Sequence, residues 1–324
     1  MDRRVTAPMR AAMRRLRSLG QERPVPPRAG ERLDGWLRLF DDQLSAIDSA
    51  CHDGGPESFV LFSDLDADLW AMLLTREYEA YTNIRALLPD VPEPSLQELW
   101  NGASGVPLAR QGLAFYRVLR QRYERHGPGR LEEACVLDFG CGWGRLTRFL
   151  ARDVAPGCLY GCDPVERILD VCRSSRVPAT VARSQFVPEQ LPFDERFELA
   201  YAFSVFTHTS ERAHLACLRA LHAALAPGGV LIVTVRPAEY LRLSPTLAAV
   251  AADPAALAME SRFLFAAHPA EPSHLQYDGG EMTYGETIVT LPYVRERWSE
   301  WFELVGVDVL VEDLYQVAIT LVRR

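Results

Sequence analysis

Residues 136–145 read Val-Leu-Asp-Phe-Gly-Cys-Gly-Trp-Gly-Arg, and this stretch decides the fold of the chain. An apolar run followed by three closely spaced glycines predicts a buried strand that turns sharply into a helix. Glycine allows the backbone to make that turn and to approach a bound ligand closely. Asp138 stands where the strand meets the loop, and its charge would repel a pyrophosphate. A ligand that carries an amino group suits this loop better.

Strand and helix patterns alternate outward from this loop. Strands are predicted at 134–139, 159–163, 181–186, 198–203 and 230–235, with helices up to 150 and at 164–173, 211–226 and 292–302. A closing hairpin is predicted at 304–311 and 316–323. Strands separated by helices indicate an α/β fold with a parallel, doubly wound sheet, which binds ligands at the carboxyl ends of its strands.

Two residues narrow the class of nucleotide that the loop can bind. Asp163 ends the second strand, where an acid accepts both hydroxyls of a ribose. A dinucleotide site requires the spacing G-x-G-x-x-G, and Arg145 occupies the position of the third glycine. A nicotinamide oxidoreductase is therefore the weakest of the candidate functions.

Three ordered motifs resemble those of class I S-adenosylmethionine-dependent methyltransferases. The first is the stretch 136–145; the second is Leu191-Pro192-Phe193 followed by Phe197-Glu198-Leu199; the third is the turn Leu225-Ala226-Pro227-Gly228-Gly229. The resemblance covers about residues 128–236 and 291–324. It implies a Rossmann-like sheet whose terminal hairpin supplies a reversed seventh strand, and S-adenosylmethionine as the cofactor.

The resemblance also implies a set of cofactor-binding residues. Gly140, Gly142 and Gly144 are expected along the methionine and ribose moieties. Asp163 is expected to bind the ribose hydroxyls, and Asp138 the amino group. Further contacts are expected from Pro164, which packs on adenine, and from Phe203, Gln185 and Gln190. The last two are candidates for adenine recognition because Val187 stands where many relatives carry an acid.

The segment 202–210, which follows the fourth strand, is expected to face the methyl acceptor. It lacks the D/N-P-P-Y motif of enzymes that methylate nucleic-acid bases, and no Pro-Cys pair typical of cytosine-C5 methylation occurs in the chain. His208 is the candidate general base, and the alternative is a histidine that caps or orients the next helix. Arg236 would bind an acidic acceptor or simply be an exposed strand-end arginine. His214 and His222 are expected on the surface.

Three segments are predicted to surround this core. Residues 1–30 form a basic leader, which is interpreted as a flexible tail, a membrane or partner contact, or a transit peptide. Residues 31–127 are expected to form a helical accessory or cap region, with helices at 31–47, 63–81 and 107–126 and a loop-rich stretch at 87–106. Within the methyltransferase region 128–324, an inserted segment at 237–290 is expected to act as a lid. The stretch 100–105 is either a second rim loop or an ordinary turn.

Composition excludes several classes of protein. The net charge is −8, and the first 30 residues carry +6, so the rest of the chain carries −14 and is a poor partner for nucleic acid. All 35 basic residues are Arg, which excludes Schiff-base chemistry and the P-loop. The seven cysteines lack paired spacing, so reduced thiols without a metal in a cytoplasmic protein are expected. No apolar run is long enough to span a membrane.

The sequence therefore predicts an S-adenosylmethionine-dependent methyltransferase that acts on a small organic acceptor, with a role in natural-product biosynthesis. Two alternatives are a sugar or glycan O-methyltransferase and a catalytically silent protein that binds S-adenosylmethionine.

Overall fold

The structure is a computed structural model, and it describes residues 33–52, 54–251, 260–268, 277–278 and 281–324. The basic leader predicted at 1–30 lies outside the described residues, as does much of the predicted lid. Within the described residues, no helix has both the length and the apolar character that a membrane crossing requires.

A seven-stranded sheet forms the centre of the molecule. Its strands are β1 (Val136–Phe139), β2 (Leu159–Asp163), β3 (Thr180–Arg183), β4 (Phe197–Ala202), β5 (Leu225–Val235), β10 (Phe302–Val309) and β11 (Val317–Arg323). Four shorter strands lie between β5 and β10, namely β6 (Phe263–Ala267), β7 (Tyr277–Asp278), β8 (Glu281–Met282) and β9 (Gly285–Val289). The order across the large sheet is β10-β11-β5-β4-β1-β2-β3, and β11 runs antiparallel to both of its neighbours.

Helices cover the sheet and build the N-terminal third of the chain. The α-helices are Asp34–Leu37, Asp41–Ala50, Ala67–Thr75, Thr82–Leu87, Pro94–Asn101, Gly105–His126, Thr147–Leu150, Glu166–Ser174, Glu211–Ala224, Pro245–Val250 and Leu291–Arg297. Short 3-10 helices occur at Arg38–Phe40, Pro56–Phe62, Leu131–Glu133 and Ala238–Arg242. The predicted fold class is thus confirmed: parallel strands alternate with helices, and a terminal antiparallel hairpin completes the sheet.

The central strands form because their residues are apolar on both faces. Every residue of β1 is buried, and so are the last seven residues of β5. Side chains on one face join the N-terminal helices in one core, and those on the other face pack against Glu211–Ala224 and Leu291–Arg297. Strands buried on both faces read as continuous apolar runs, which is why the sequence pattern located them.

The stretch 87–106 departs from its prediction as a loop, because it contains the helix Pro94–Asn101. Pro94 lies in the first turn, where its missing N–H costs nothing, and Gly102 follows the helix in a left-handed conformation with a φ of 74°. The residues taken as loop formers are therefore the start and stop signals of a short helix.

The N-terminal helices pack directly on the sheet and its first helix. Phe115 contacts the rings of Tyr201 and Phe203, with centroids 6.2 and 5.0 Å away. The indole of Trp70 donates to the carbonyl oxygen of Phe149 at 3.0 Å. Arg152, which is buried, donates to the carbonyl oxygens of Phe62 and Leu65. This face of the sheet is consequently closed by residues that precede β1.

Candidate active site

A cavity of about 410 Å³ lies at the carboxyl ends of β2, β1, β4 and β5. We call it the central cavity. Asp163 lies at one end and Arg236 at the other, one after β2 and one after β5. Three strand spacings separate these two strands, so the ends lie about 14 Å apart. Eight of the ten residues predicted for the site line this cavity, namely Asp138, Gly140, Gly142, Asp163, Pro164, Gln185, Phe203 and His208.

Asp163 joins the end of β2 to the glycine loop. Its Oδ2 accepts a hydrogen bond from the backbone N–H of Gly142 at 3.1 Å, and its Oδ1 accepts one from Val165 at 2.9 Å. Burial raises the pKa of Asp163 to about 6, although these two hydrogen bonds lower it. A Cβ at Gly142 would meet no atom within 4 Å, so this glycine leaves open space beside the carboxylate.

The other two glycines of the loop serve packing. A Cβ at Gly140 would lie 2.3 Å from Val205, and one at Gly144 would lie 2.7 Å from Val177. Both residues have positive φ angles, of 79° and 80°. Gly144 does not line the central cavity. Its place in the motif follows from the close contact between the loop and the residues after the helix Glu166–Ser174.

Asp138 lies beneath the loop and is almost completely buried. Its Oδ2 accepts a hydrogen bond from the hydroxyl of Thr147 at 2.6 Å. Burial raises the pKa of Asp138 to about 7, although the hydrogen bond from Thr147 lowers it. A carboxyl group with this pKa gains a stable negative charge when a cationic group binds next to it.

Only some of the residues predicted to contact adenine lie at the central cavity. Pro164 and Gln185 line the central cavity, whereas Gln190 is exposed and lies outside its lining. Ser184 lies at the same end, and its buried hydroxyl has no hydrogen-bond partner among the described residues. Ser184 was not predicted from the sequence, although its position directly after β3 at the carboxyl edge of the sheet was an available signal.

His208 has a partner on each ring nitrogen. Nδ1 lies 2.7 Å from the carbonyl oxygen of Gly285, so it carries the proton and donates. Nε2 then accepts from the Nη2 of Arg236 at 3.3 Å. Burial and the neighbouring charge of Arg236 lower the pKa of His208 to about 3. The helix that begins at Glu211 is capped by Ser210, so His208 does not cap it.

The comparison with protein families identifies the region around the glycine loop. Residues 136–229 match the family model described as a methyltransferase domain. These residues therefore form a methyltransferase domain. The matched residues contain the loop, Asp163 and His208, and they end at the turn before the apolar part of β5.

Two curated proteins resemble part of this methyltransferase domain. Trans-aconitate 2-methyltransferase of Variovorax paradoxus is 33% identical over 102 residues, which are 32% of this chain and 38% of the relative. Ubiquinone biosynthesis O-methyltransferase of Methylobacterium sp. is 33% identical over 107 residues, which are 32% of this chain and 41% of the relative. The chain thus spans about two fifths of the length of these relatives.

Among solved structures, magnesium protoporphyrin IX methyltransferase from Synechocystis PCC 6803 is 14% identical to this chain. The alignment covers 72% of this chain and 90% of the relative, with a TM-score of 0.45.

The end of the central cavity opposite Asp163 is lined by residues that follow β5 or precede β11. Arg236 follows β5, whereas Asp313 and Gln316 precede β11. Gln111 donates to the Oδ2 of Asp313 at 2.5 Å, and burial raises the pKa of Asp313. Asp313 and Gln316 were missed in the sequence, although a reversed last strand must bring its start beside the end of β5.

The helix Pro94–Asn101 contributes to the rim at the opposite end. Trp100 and Asn101 line the central cavity, and the indole of Trp143 donates to Asn101 Oδ1 at 2.9 Å. The stretch 100–105 therefore begins as the last turn of a helix and borders the cavity of the methyltransferase domain.

His214 is not a surface residue, contrary to the sequence prediction. It is 0% exposed and packs against Phe206, Phe263 and Trp298. Burial lowers the pKa of His214 to about 3. The prediction was wrong because Glu211–Ala224 is covered by the segment that follows β5 as well as by the sheet. His222 is half-buried and contacts Phe302.

Proposed function

We propose that this protein transfers a methyl group from S-adenosylmethionine to a small organic acceptor. One observation carries the proposal: the carboxylate of Asp163, which is bound to the glycine loop, lies in the same cavity as Arg236, His208 and Asp313. A nucleoside end and a polar acceptor end about 14 Å apart are what a transferase that binds two substrates requires.

The described residues fit the cofactor. The open space beside Gly142 would hold a ligand next to Asp163, whose carboxylate would accept hydrogen bonds from ribose hydroxyls. Asp138 would pair with the amino group, and the orphaned hydroxyl of Ser184 would bind the base together with Gln185. When bound, S-adenosylmethionine supplies a methyl group on a positively charged sulfur.

The protein must align the acceptor and, for a hydroxyl, remove its proton. We predicted His208 as the base, but Arg236 already donates to its Nε2 and its pKa of about 3 makes it a weak proton acceptor. These observations favour a role for His208 in positioning Arg236. Asp313 lines the same end of the cavity, and burial raises its pKa, so we propose it as the proton acceptor for a hydroxyl substrate.

The size and lining of the cavity support a small acceptor. Trp100 and Asn101 border it on one side, and Thr283 and Tyr284 border it on the other. A concave site of about 410 Å³ suits a small molecule better than a protein or a nucleic-acid duplex. The two curated relatives are named for trans-aconitate and for ubiquinone biosynthesis. A role in natural-product biosynthesis and methylation of a sugar hydroxyl both remain hypotheses within this class.

Transfer of a labelled methyl group tests the proposal. We expect the purified protein to move tritium from [methyl-³H]S-adenosylmethionine into a metabolite in an extract of the cells that encode it. The Asp313→Asn variant should reduce this transfer about 10²- to 10⁴-fold if the acceptor is a hydroxyl. Binding of S-adenosylhomocysteine without any transfer would instead identify a silent binding protein, and failure to bind it would refute the cofactor assignment.

A further inference from the structure

Two buried polar atoms at the acceptor end of the central cavity lack hydrogen-bond partners among the described residues. They are the Nη1 of Arg236, a donor, and the Oε1 of Gln316, an acceptor. Building on the methyl transfer proposed above, we propose that the acceptor is a small carboxylic acid. Its carboxylate binds Arg236, and an O–H or N–H group of the same molecule donates to Gln316.

The two residues are neighbours because of the register of the sheet. Val317 pairs with Val235 in the antiparallel ladder between β11 and β5. Arg236 and Gln316 are the next residues beyond this pair, one directly after β5 and the other directly before β11. Side chains at such opposed positions start about 5 Å apart, so a single small ligand can contact both.

Contacts with its neighbours hold Arg236 in place but give its Nη1 no hydrogen-bond acceptor among the described residues. Its Nη2 donates to His208, and its guanidinium lies 4.2 Å from the centre of the Tyr240 ring. Glu286 balances the charge, but the distance from its Oε1 to Arg236 Nη1 is 3.7 Å, too long for a hydrogen bond.

Glu286 is already occupied by three hydroxyl groups. Its Oε1 accepts from Tyr240 at 2.8 Å, and its Oε2 accepts from Thr246 at 2.6 Å and from Ser244. These hydrogen bonds help to lower the pKa of Glu286 to about 2, so it stays ionised and fixed. The guanidinium of Arg236 is thus positioned and buried, while its hydrogen-bonding capacity is not filled by the protein.

Gln316 is oriented by a chain of hydroxyl groups. Its Nε2 donates to the Oγ of Ser204 at 3.0 Å, and this hydroxyl lies 3.0 Å from that of Thr207. Thr207 in turn donates to the carbonyl oxygen of Ser204 at 2.9 Å. Since the amide nitrogen is committed to Ser204, the oxygen of Gln316 is the atom that lacks a partner.

A buried donor and a buried acceptor without partners destabilise the protein unless a ligand pairs with them. Arginine binds a planar carboxylate through two parallel hydrogen bonds, which suits a guanidinium already fixed by a stacked ring. Asp313 lies at the same end of the cavity and would repel a second acidic group there, so an acid with one carboxylate near Arg236 fits best.

Ligand-observed NMR on protein saturated with S-adenosylhomocysteine tests this without requiring turnover. The probes are succinate, glutarate, malate, 3-hydroxybenzoate and 4-hydroxybenzoate, each beside its primary amide, with inorganic phosphate titrated in parallel. We expect at least one acid to bind ten times more tightly than its amide and more tightly than phosphate. Arg236→Gln should weaken that binding at least tenfold, whereas Arg236→Lys should weaken it less.

Two further variants sharpen the test. Arg242→Gln removes an equal charge from an exposed position six residues farther along, and it should leave acid binding unchanged. Gln316→Leu should weaken binding of hydroxylated acids more than that of plain acids. The affinity for S-adenosylhomocysteine should stay within threefold of wild type in every variant, because Asp163 lies at the other end of the cavity.

The proposal would be overturned by equal binding of acids and amides, by no effect of Arg236→Gln, or by no binding of any acid to the loaded protein. Tighter binding of phosphate than of every acid would also overturn it. Failure of the wild type to bind S-adenosylhomocysteine would instead refute the methyltransferase function on which the inference rests.

Discussion

Asp163 is the residue whose protonation should control cofactor affinity. Its pKa is raised to about 6 by burial, and only the ionised carboxylate accepts hydrogen bonds from both ribose hydroxyls. We therefore expect protonation of Asp163 alone to lower the affinity for S-adenosylhomocysteine about tenfold between pH 7.5 and pH 5, as measured by calorimetry. The Asp163→Asn variant should bind at least ten times more weakly at pH 7.5.

Asp138 gives this experiment an internal control. Its pKa of about 7 also lies in the range, so Asp163→Asn should keep the fall in affinity that begins near pH 7 and lose only the additional fall below pH 6. An unchanged pH profile in the variant would contradict the assignment of Asp163 to the ribose.

His214 should control the acid stability of the protein. Its pKa is about 3 in the folded state and about 6.5 when unfolded, so the unfolded chain binds the extra proton between these values. Stability is therefore lost as the pH falls below 6.5, and His214 accounts for a loss of about 2 kcal/mol at pH 5. His214→Phe should remove this loss, which urea unfolding at pH 7.5 and pH 5 would measure.

A second variant separates the effect of His214 titration on stability from the effect of altered packing around it. Phe206→Leu alters the same apolar cluster without changing a titratable group, so its effect on the free energy of unfolding should be the same at both pH values. Equal pH dependence in His214→Phe and wild type would show that His214 does not titrate as described.

At the scale of single residues, the sequence predicted several that lie at or shortly after the carboxyl ends of parallel strands, although it missed Ser184. Asp163 and His208 were found because the carboxyl ends of such strands meet at one edge of the sheet. Asp313 and Gln316 were not found, because their place depends on which strand β11 pairs with. His214 was misplaced, since burial by a segment distant in sequence leaves no local pattern.

At the scale of elements, the glycines of the loop have two different roles. Gly142 leaves space for a ligand and Gly144 allows close packing, and one variant at each position can separate these roles. Gly142 and Gly144 both have positive φ angles, so an alanine at either position costs about 1 to 2 kcal/mol. Gly144→Ala should cost about 1 to 3 kcal/mol more, because its Cβ would lie 2.7 Å from Val177 and 3.0 Å from Cys172.

The cofactor affinity should show the opposite order. Gly142→Ala places its methyl group in the open space beside Asp163, so we expect weaker binding of S-adenosylhomocysteine in a protein that remains folded. Chemical denaturation and calorimetry on both variants measure the two effects. Greater loss of affinity in Gly144→Ala, at a temperature where both are folded, would reverse the assignment.

The elements themselves were predictable where burial is continuous. The bounds predicted for β2 agree with the structure, and β1 and β4 differ by one or two residues at their ends. The helix Ala67–Thr75 is shorter than the predicted 63–81, because Arg76 adopts a left-handed conformation with a φ of 57° and ends it. The apolar periodicity continues past Arg76 in the sequence, so it does not indicate where the helix ends.

At the scale of the whole molecule, Arg152 connects the N-terminal helices to the segment that follows β1 through buried hydrogen bonds. It is 4% exposed and donates to the carbonyl oxygens of Phe62 and Leu65 and to the hydroxyl of Tyr116. Arg152→Met removes these three buried hydrogen bonds and should cost about 3 kcal/mol. The N-terminal helices and the sheet share one core, so urea unfolding followed by tryptophan fluorescence and by circular dichroism should give coincident transitions.

Arg120 offers the matched control, because it also lies near Asp153 but is about half exposed. Arg120→Met should change the free energy of unfolding by about 1 kcal/mol or less. Two separate transitions in the wild type would indicate that the N-terminal helices unfold independently of the sheet.

The position of β11 between β5 and β10 has a consequence for synthesis on the ribosome. β10 is translated before β11 but has no partner in the sheet until β11 has emerged and inserted. The edge of β5 stays open during that interval, and open edges of apolar strands invite pairing with other chains. The acceptor end of the cavity is completed in the same step, because Gln316 arrives with β11. A nascent chain would thus hold the residues for the nucleoside well before it could recognise an acceptor, and the interval between the two is when it most needs a chaperone.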